Sequence, residues 1–155
     1  MIPIKLQGAL KKRIEETLSG MKLPSQEGDT KEIQVFEQHI PRKAKSSSRN
    51  SEETNYPCVV VYIDEGENGE VKVLLIVAVH DKDSDNQGYR DVLNIIDKVH
   101  SDLLKNPEID RTFELKPESL KWFYNDQDNY PYYFGWIETI FEIPRSLRED
   151  VEAMI

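Results

Sequence analysis

Apolar residues recur at two different spacings along this chain, and the spacing separates predicted helices from predicted strands. Near the amino terminus, every fourth residue is apolar: Leu6, Leu10, Ile14 and Leu18. This period predicts an amphipathic helix that ends near Gly20. A second helix is predicted from the apolar positions Tyr89, Val92, Leu93, Ile96, Val99, Leu103 and Leu104. We expect it to end at Asn106, because Pro107 disfavours helical geometry in the residue before it.

Alternating and continuous apolar runs predict strands in the middle of the chain. A short strand is predicted at 33–36, and the clearest strands are 56–64 and 71–79, which are dense in β-branched residues. Between the latter two lies Asn68-Gly69, the preferred pair for a type I′ hairpin turn, so the strands should pair antiparallel. The continuous apolar run at the end of 71–79 predicts burial on both faces and a central position in the sheet.

Two further strands are predicted after the second helix. The first begins at Phe113 and, after a break at Pro117, continues to Tyr124; the second alternates from Trp136 until Pro144 stops it. The order of elements predicts an α+β fold: a two-layer domain in which an antiparallel or mixed β-sheet of four to five strands packs against two α-helices. We expect residues 1–155 to form a single domain.

One long segment, residues 41–55, has no hydrophobic period. Its sequence P-R-K-A-K-S-S-S-R-N-S-E-E-T-N predicts a flexible loop, and its cations make it the most basic part of the chain: Arg42, Lys43, Lys45 and Arg49. Loops of this length in a compact domain are usually disordered or functional. Two interpretations stay open, a mobile solvated loop and a loop that becomes ordered on an acidic partner surface.

Composition and charge narrow the classes of function. The net charge of −9 argues against general nucleic-acid binding, which depends on cations that neutralise phosphates. The charge is uneven: residues 1–55 carry 10 basic and 8 acidic side chains, and residues 56–155 carry 10 and 21. This asymmetry fits either a solvated exterior or oppositely charged surfaces that meet between copies of the protein or with a partner. The single cysteine, Cys58, is expected to be buried, and neither a signal peptide nor a membrane span is predicted.

The acidic stretch H-D-K-D-S-D-N-Q-G-Y-R-D has partial similarity to a calcium loop. Asp81, Asp83 and Asp85 fit the first three ligand positions, but the sixth position, which needs glycine, is Asn86. The twelfth position, which needs a bidentate glutamate, is Val92. The pattern therefore favours a turn whose carboxylates precede a helix, and no metal site is predicted.

No catalytic constellation emerges from the sequence. The histidines His39, His80 and His100 lack metal-ligand spacing, and no phosphate loop or nucleophile motif occurs. A metal-dependent enzyme remains the alternative from another class, because carboxylates at strand ends are able to hold a metal: Asp64, Glu65 and Asp81, together with His80. We expect no enzyme activity, no catalytic residues and no cofactor.

An aromatic cluster surrounds Pro131 at the entry of the last predicted strand: Tyr130, Tyr132, Tyr133, Phe134 and Trp136. Successive side chains of a strand point to opposite faces, so these residues do not all face a core. Surface tyrosine and tryptophan are enriched in protein interfaces. The candidate assembly interface therefore comprises Arg42, Lys43, Lys45, Arg49, Tyr130, Tyr132 and Trp136.

Three segments together resemble a known family: L-L-I-V-A-V-H-D, D-N-Q-G-Y-R-D-V-L-N-I-I-D-K-V and Y-P-Y-Y-F-G-W-I-E-T-I-F-E-I-P. Over roughly residues 56–145 the chain resembles the tail terminator, or tail completion, proteins of long-tailed bacteriophages and prophages. The resemblance implies a structural subunit of a homo-oligomeric, hexameric ring at the head-proximal end of the tail tube. Such a ring stops tube polymerisation and presents a surface to head-completion or neck proteins.

The same resemblance implies that DNA passes through the ring without sequence-specific binding. No membrane partner is expected, because no stretch approaches the roughly 20 apolar residues needed to span a bilayer. Assembly would take place in the host cytoplasm, and the mature location would be the virion tail. A head–tail connector or other neck protein is the nearest alternative.

Overall fold

The fold contains two helices and nine strands within the residues that the computed structural model describes, namely 2–24, 30–41, 55–82 and 87–143. The helices are α1 (Ile2–Thr17) and α2 (Gly88–Lys105). The strands are β1 (Lys22–Pro24), β2 (Thr30–Glu32), β3 (Gln34–Glu37), β4 (Cys58–Glu67), β5 (Glu70–His80), β6 (Glu108–Ile109), β7 (Phe113–Leu115), β8 (Lys121–Tyr124) and β9 (Tyr132–Glu142). Over these ranges, no helix is long and apolar enough to cross a membrane.

Strands β3 to β9 form one mixed sheet in the order β3-β4-β5-β9-β7-β6, and β8 also pairs with β9. Only β3 and β4 are parallel. The α+β class is confirmed, but the predicted number of four to five strands is wrong, because the sheet has seven strands within the described ranges. The turn at Pro117 divides the predicted strand 113–124 into β7 and β8, and the two-residue β6 adds a further strand. Strands β1 and β2 form a separate antiparallel pair that the hydrophobic pattern did not predict.

The central hairpin confirms the prediction made from its turn. Strands β4 and β5 pair antiparallel up to Glu67 opposite Glu70, with a register shift between Ile63 and Glu65. Asn68 and Gly69 have φ angles of 42° and 82°, as a type I′ turn requires. Strand β5 lies between β4 and β9, and its last four residues are all buried. Its central position is therefore also confirmed.

The edge of β9 that faces away from β5 forms hydrogen bonds with three short segments in succession. Strand β7 pairs with Phe141 and Glu142, and the backbone N–H of Lys116 donates to the carbonyl of Ile140 at 2.9 Å. A 3-10 turn at Pro117–Ser119 follows, whose Ser119 Oγ accepts the Ile140 N–H at 3.0 Å. Strand β8 then pairs with residues 135–138. The chain therefore breaks at Pro117, as predicted, but the backbone groups of β9 described above keep hydrogen-bond partners on both sides of the break.

One face of the sheet shares a hydrophobic cluster with both helices. Strand β9 contributes Tyr133, Ile137 and Phe141 to this cluster, and β5 contributes its odd-numbered residues from 71 to 79. Helix α2 lies directly on β9 at Gly135, where an added Cβ would come within 2.8 Å of Val92 Cγ1. The absence of a side chain at this glycine therefore sets how closely the helix approaches the strand.

Both predicted helices are confirmed. The four residues that defined the first helix, Leu6, Leu10, Ile14 and Leu18, are at most 2% exposed. Helix α2 ends at Lys105, one residue before Asn106, as expected from Pro107. Leu104, which was assigned to the apolar side of that helix, is exposed, whereas Ile95 is buried. The predicted stripe was therefore slightly rotated with respect to the observed one.

The two helices are joined by a polar contact at their partly exposed edges. Arg13 Nε donates to Asp102 Oδ2 at 2.8 Å, and Thr17 Oγ1 donates to the same oxygen at 2.8 Å. The guanidinium also donates to the backbone carbonyls of Asp102 and Asn106. Arg13 therefore binds a carboxylate and the carbonyl end of α2 at the same time, where positive charge is favourable.

Candidate functional site

The second face of the sheet carries side chains that do not belong to the helix-packed cluster. We call this surface the open face and define it by the even-numbered residues of β5 from 72 to 76 and of β9 from 132 to 142. These side chains are half-buried, apart from the exposed Glu142. The surface is mostly apolar or aromatic, through Leu74, Ile76, Tyr132, Phe134, Trp136 and Ile140. Surfaces of this composition, rimmed by polar groups, are characteristic of protein interfaces.

Aromatic rings form a row along one end of the open face. Tyr132 and Phe134 stack with ring centroids 6.4 Å apart, and Trp136 stacks on Phe123 of β8 at 5.4 Å. Tyr132 also meets the ring of His80 edge-on at 5.0 Å. Tyr133, which lies between Tyr132 and Phe134 in the sequence, is buried on the face of the sheet that packs against the helices. The prediction that the aromatic residues near Pro131 divide between two faces is therefore confirmed.

The residues predicted as an interface do not all lie together. Tyr132 and Trp136 lie on the open face, whereas Tyr130 lies in the turn before β9 and is 45% exposed. Its hydroxyl donates to the backbone carbonyl of Lys82. The basic members of the predicted set, Arg42, Lys43, Lys45 and Arg49, are outside the described residues.

A row of glutamates crosses five strands at the hairpin end of the open face. Glu108 pairs with Glu114, Glu114 with Glu142, Glu142 with Glu70, and Glu70 with Glu67. Directly paired residues project to the same side of a sheet, which places Glu67, Glu70, Glu142 and Glu114 on this face. Glu108, at the end of the row in the two-residue strand β6, also lines the groove along α1 that is described below. We call these five residues the glutamate row. Like charges directly opposite each other destabilise a sheet, so the row costs stability in the isolated subunit.

Lys116 partly compensates the glutamate row. Its Nζ lies 2.8 Å from Glu70 Oε1. The hydrogen bond to Glu70 raises the pKa of Lys116, as do the charges of Glu70, Glu118 and Glu142. In the next part of the face, Lys72 Nζ lies 3.8 Å from Asp64 and 4.0 Å from Glu138. Carboxylates outnumber the amines that approach them in these contacts, so the hairpin end of the face is acidic.

A second surface lies on the opposite side of the sheet, along α1. A groove of about 980 Å³ runs between α1 and residues 106–113. We define the α1 face as Ile4, Lys5, Gly8 and Lys12, which all line this groove. Ile4 is the most exposed large apolar residue in the described chain, at 58%, and Lys5 and Lys12 are exposed. A Cβ added at Gly8 would meet nothing within 4 Å, so the middle of the α1 face is open.

Acidic residues also border the groove, but none of them belongs to the α1 face as defined above. They are Glu16, Glu108 and Asp110, of which two belong to the β6–β7 side. That side turns through Asp110 and Arg111, which both have left-handed φ angles, of 53° and 54°. Of the four cations that line the groove among the described residues, Lys5, Lys12 and Arg13 belong to the helix and Arg111 belongs to the β6–β7 side, so the basic character comes mainly from the helix.

The structure separates the strand-end carboxylates of the enzyme alternative. Asp64 and Glu65 lie near the β4–β5 turn, whereas His80 and Asp81 lie at the other end of the hairpin. Lys72, the partner of Glu65, precedes His80 by eight positions of β5, a distance of about 27 Å in a strand. Among the residues that the structure describes, no group of three His, Cys, Asp or Glu side chains is placed to hold a metal ion.

The acidic turn before α2 is described only in part. Asp83 and Asp85 are outside the described residues, and the residue that precedes the helix, Gln87, makes no side-chain capping hydrogen bond. Asp81 does act on the helix start: burial raises the pKa of Asp91 in the first turn, and the negative charge of Asp81 raises it further. The predicted helix does begin shortly after this stretch, at Gly88, whereas capping by Asp83 or Asp85 stays a prediction because both lie outside the described residues.

Cys58 is buried, as predicted, and burial raises the pKa of its thiol to about 12, with Lys31 acting in the opposite direction. A nucleophilic cysteine needs a lowered pKa and access, so this thiol has the properties of a core residue.

No protein-family model matches the chain, and no curated protein matches it closely enough to count as a relative. The glutamate row and the α1 face were both missed from the sequence. The only signal for the row is that several strands begin or end with glutamate, and this gains meaning only once the register is known.

Proposed function

We propose that this chain is a structural tail protein of a long-tailed phage or prophage that forms a ring at the head-proximal end of the tail tube. The ring stops polymerisation of the tube protein and offers a joining surface to head-completion or neck proteins. DNA passes through it without sequence-specific contacts. In this role the helices and the sheet act as two layers of one domain, and the chain needs no catalytic residues and no cofactor.

The observation that carries the proposal is the difference between the two sides of the sheet. The open face is aromatic and acidic, and the α1 face is apolar and basic. A cyclic assembly built from head-to-tail contacts requires two different, complementary patches on every subunit.

The basic segment of the chain supplies a further part of the proposal. Arg42, Lys43, Lys45 and Arg49 follow β3 in sequence, and we propose that they contact an acidic surface of a neighbour or of the tube. Exchanging all four for glutamine should weaken tail assembly and leave thermal unfolding nearly unchanged. Unaffected assembly would remove this segment from the proposed interface.

The decisive experiment is the tail-length distribution, measured by electron microscopy, in lysates of a phage or induced prophage that lacks this gene. Overlong, headless tubes that return to normal length on complementation support termination. Tails of normal length that fail to join heads support the alternative, a head–tail connector or other neck protein. Normal virions would contradict both.

A further inference from the structure

We propose that the α1 face of one subunit docks on the hairpin end of the open face of a second copy of this chain, with Lys5 and Lys12 on the glutamate row. This inference rests on the proposed ring and specifies its subunit contact. The two surfaces lie on opposite sides of the same sheet, so one contact leaves the second surface of each subunit available for the next copy. Repetition of the contact therefore produces a head-to-tail series that closes into a ring when the rotation allows it.

Spacing supports the pairing of the two surfaces. Lys5 and Lys12 are seven residues apart, so they lie on the same side of α1 and about 10.5 Å apart along its axis. Glu70, Glu142 and Glu114 lie on three successive strands. Because neighbouring strands are spaced by about 4.8 Å, the first and third of these positions are about 9.6 Å apart. A helix laid across the strands would therefore place each lysine near a carboxylate.

Charge supports it as well. The glutamate row concentrates like charges that destabilise the isolated subunit, with one lysine, Lys116, bonded to it in the described chain. The α1 face offers two exposed amines to this row. Complementary patches of this kind direct association and suppress wrong orientations. The repulsion in the row would be relieved when the two surfaces meet.

Both surfaces also carry an apolar side chain close in sequence to the charged residues of the proposed contact. Ile140 precedes Glu142 by two residues on the open face and is half-buried, and Ile4 precedes Lys5 on the α1 face. In the proposed contact we orient the helix so that Ile4 packs on apolar side chains of the open face while the lysines meet the glutamate row. Because Gly8 has no side chain, the backbone in the middle of α1 is able to approach the second subunit closely. The proposed contact thus combines apolar burial with charge pairing.

A charge-exchange experiment tests the contact. One variant, E114K/E142K, makes the open face basic, and the other, K5E/K12E, makes the α1 face acidic. Each variant alone opposes like charges at the contact and should self-associate at least about tenfold more weakly than the wild type. In an equimolar mixture, both kinds of contact again join opposite charges, so alternating assemblies should form. Sedimentation velocity at low and high ionic strength measures the association.

The matched control is K98E/K105E, which reverses two exposed lysines of α2 and should associate like the wild type. Circular dichroism establishes that each variant is folded. The inference is overturned if the mixture shows no more association than the separate variants, if K5E/K12E associates like the wild type, or if the wild type stays monomeric at about 1 mM.

The outcome is separable from that of the tail-length experiment. Overlong tubes together with failed charge exchange would retain the proposed function and discard this contact. Restored association in the mixture together with normal virions in the deletion would retain the contact and discard the function.

Discussion

Gly88 lies so close to the ring of Tyr133 that an added Cβ would come within 2.4 Å of the ring atom Cδ2. Gly88 is the first residue of α2, and Tyr133 is the aromatic residue of the Pro131 region that points toward the helices. This contact fixes where the helix starts on β9. Tyr132 and Phe134 face the other side of the sheet, because successive side chains of β9 alternate between its two faces.

Replacing Gly88 with alanine should destabilise the protein by about 1–3 kcal/mol, because the ring of Tyr133 or the helix start must move. Gly8→Ala is the matched control: its Cβ would meet nothing within 4 Å in the middle of α1. Alanine is the better helix former there, by about 0.5–1 kcal/mol. Urea unfolding measures both. Equal behaviour of the two variants would contradict the close contact at Gly88.

The contact between the helices gives a second prediction. Arg13→Ala should destabilise by about 1–3 kcal/mol, because it leaves the Asp102 carboxylate and the backbone carbonyls of Asp102 and Asn106 without their guanidinium donor. Arg13→Lys should recover only part of this, since an amine does not reproduce the planar set of donors. A double-mutant cycle with Asp102→Asn, followed by urea unfolding, measures the coupling. Additive effects would show that the pair does not join the helices.

The side-chain amide of Gln38 forms hydrogen bonds with the backbone of β4, as a residue of a neighbouring strand would. This contact gives a third prediction. Its Oε1 accepts from the Ile63 N–H at 2.9 Å, and its Nε2 donates to the Ile63 carbonyl at 3.1 Å. Gln7 Nε2 donates to the same Oε1 and to the Val61 carbonyl. Gln38→Ala should cost about 1–3 kcal/mol, because it leaves partly buried groups unpaired.

Gln38→Glu should also destabilise, because a carboxylate accepts from Ile63 but has no hydrogen to donate to its carbonyl. His39→Ala, at an exposed neighbouring residue, is the control. Thermal unfolding that ranks His39→Ala with either Gln38 variant would refute the bridging role of this amide.

Neutralising part of the glutamate row should stabilise the isolated subunit. Glu142 lies opposite both Glu70 and Glu114, so Glu142→Gln removes two like-charge pairs. The melting temperature should rise, and the gain should shrink in high salt, because exposed charges are screened. Glu15→Gln, at an exposed position of α1, should change the melting temperature less. A fall for Glu142→Gln at low salt would count against repulsion in the row.

The raised pKa of the Cys58 thiol leads us to expect a specific loss of stability at alkaline pH. Its folded pKa, about 12, is above the ordinary value of 9.0. The unfolded thiol therefore releases its proton first, and the stability contributed by the neutral buried thiol is fully present below pH 9 and is lost between pH 9 and about 12. The slope is at most about 1.4 kcal/mol per pH unit.

Cys58→Ala should lack this component while keeping the alkaline losses that come from other groups. The difference between the two pH profiles, from urea unfolding, isolates the thiol. In the native protein at pH 8, Cys58 should also react slowly with a thiol reagent and quickly once unfolded. Rapid reaction of the native protein would contradict its burial.

The sequence by itself determined the local elements, because their signals are local. The four-residue period of Leu6 to Leu18, the turn pair Asn68-Gly69 and the break at Pro117 each specify a backbone geometry within a few residues. The division of the aromatic cluster also followed from strand alternation alone. All of these are confirmed in the described part of the chain.

Only the tertiary structure decided how these elements combine into surfaces. Glu67, Glu108 and Glu142 are far apart in sequence, and they share one row because β4, β5, β9, β7 and β6 pair in a particular register. The same register placed Asp64 and His80 at opposite ends of the hairpin. The register of the β4–β5 hairpin is set locally by its two-residue turn, whereas the order and register of β9, β7 and β6 depend on contacts between segments that are distant in sequence, which no local period encodes.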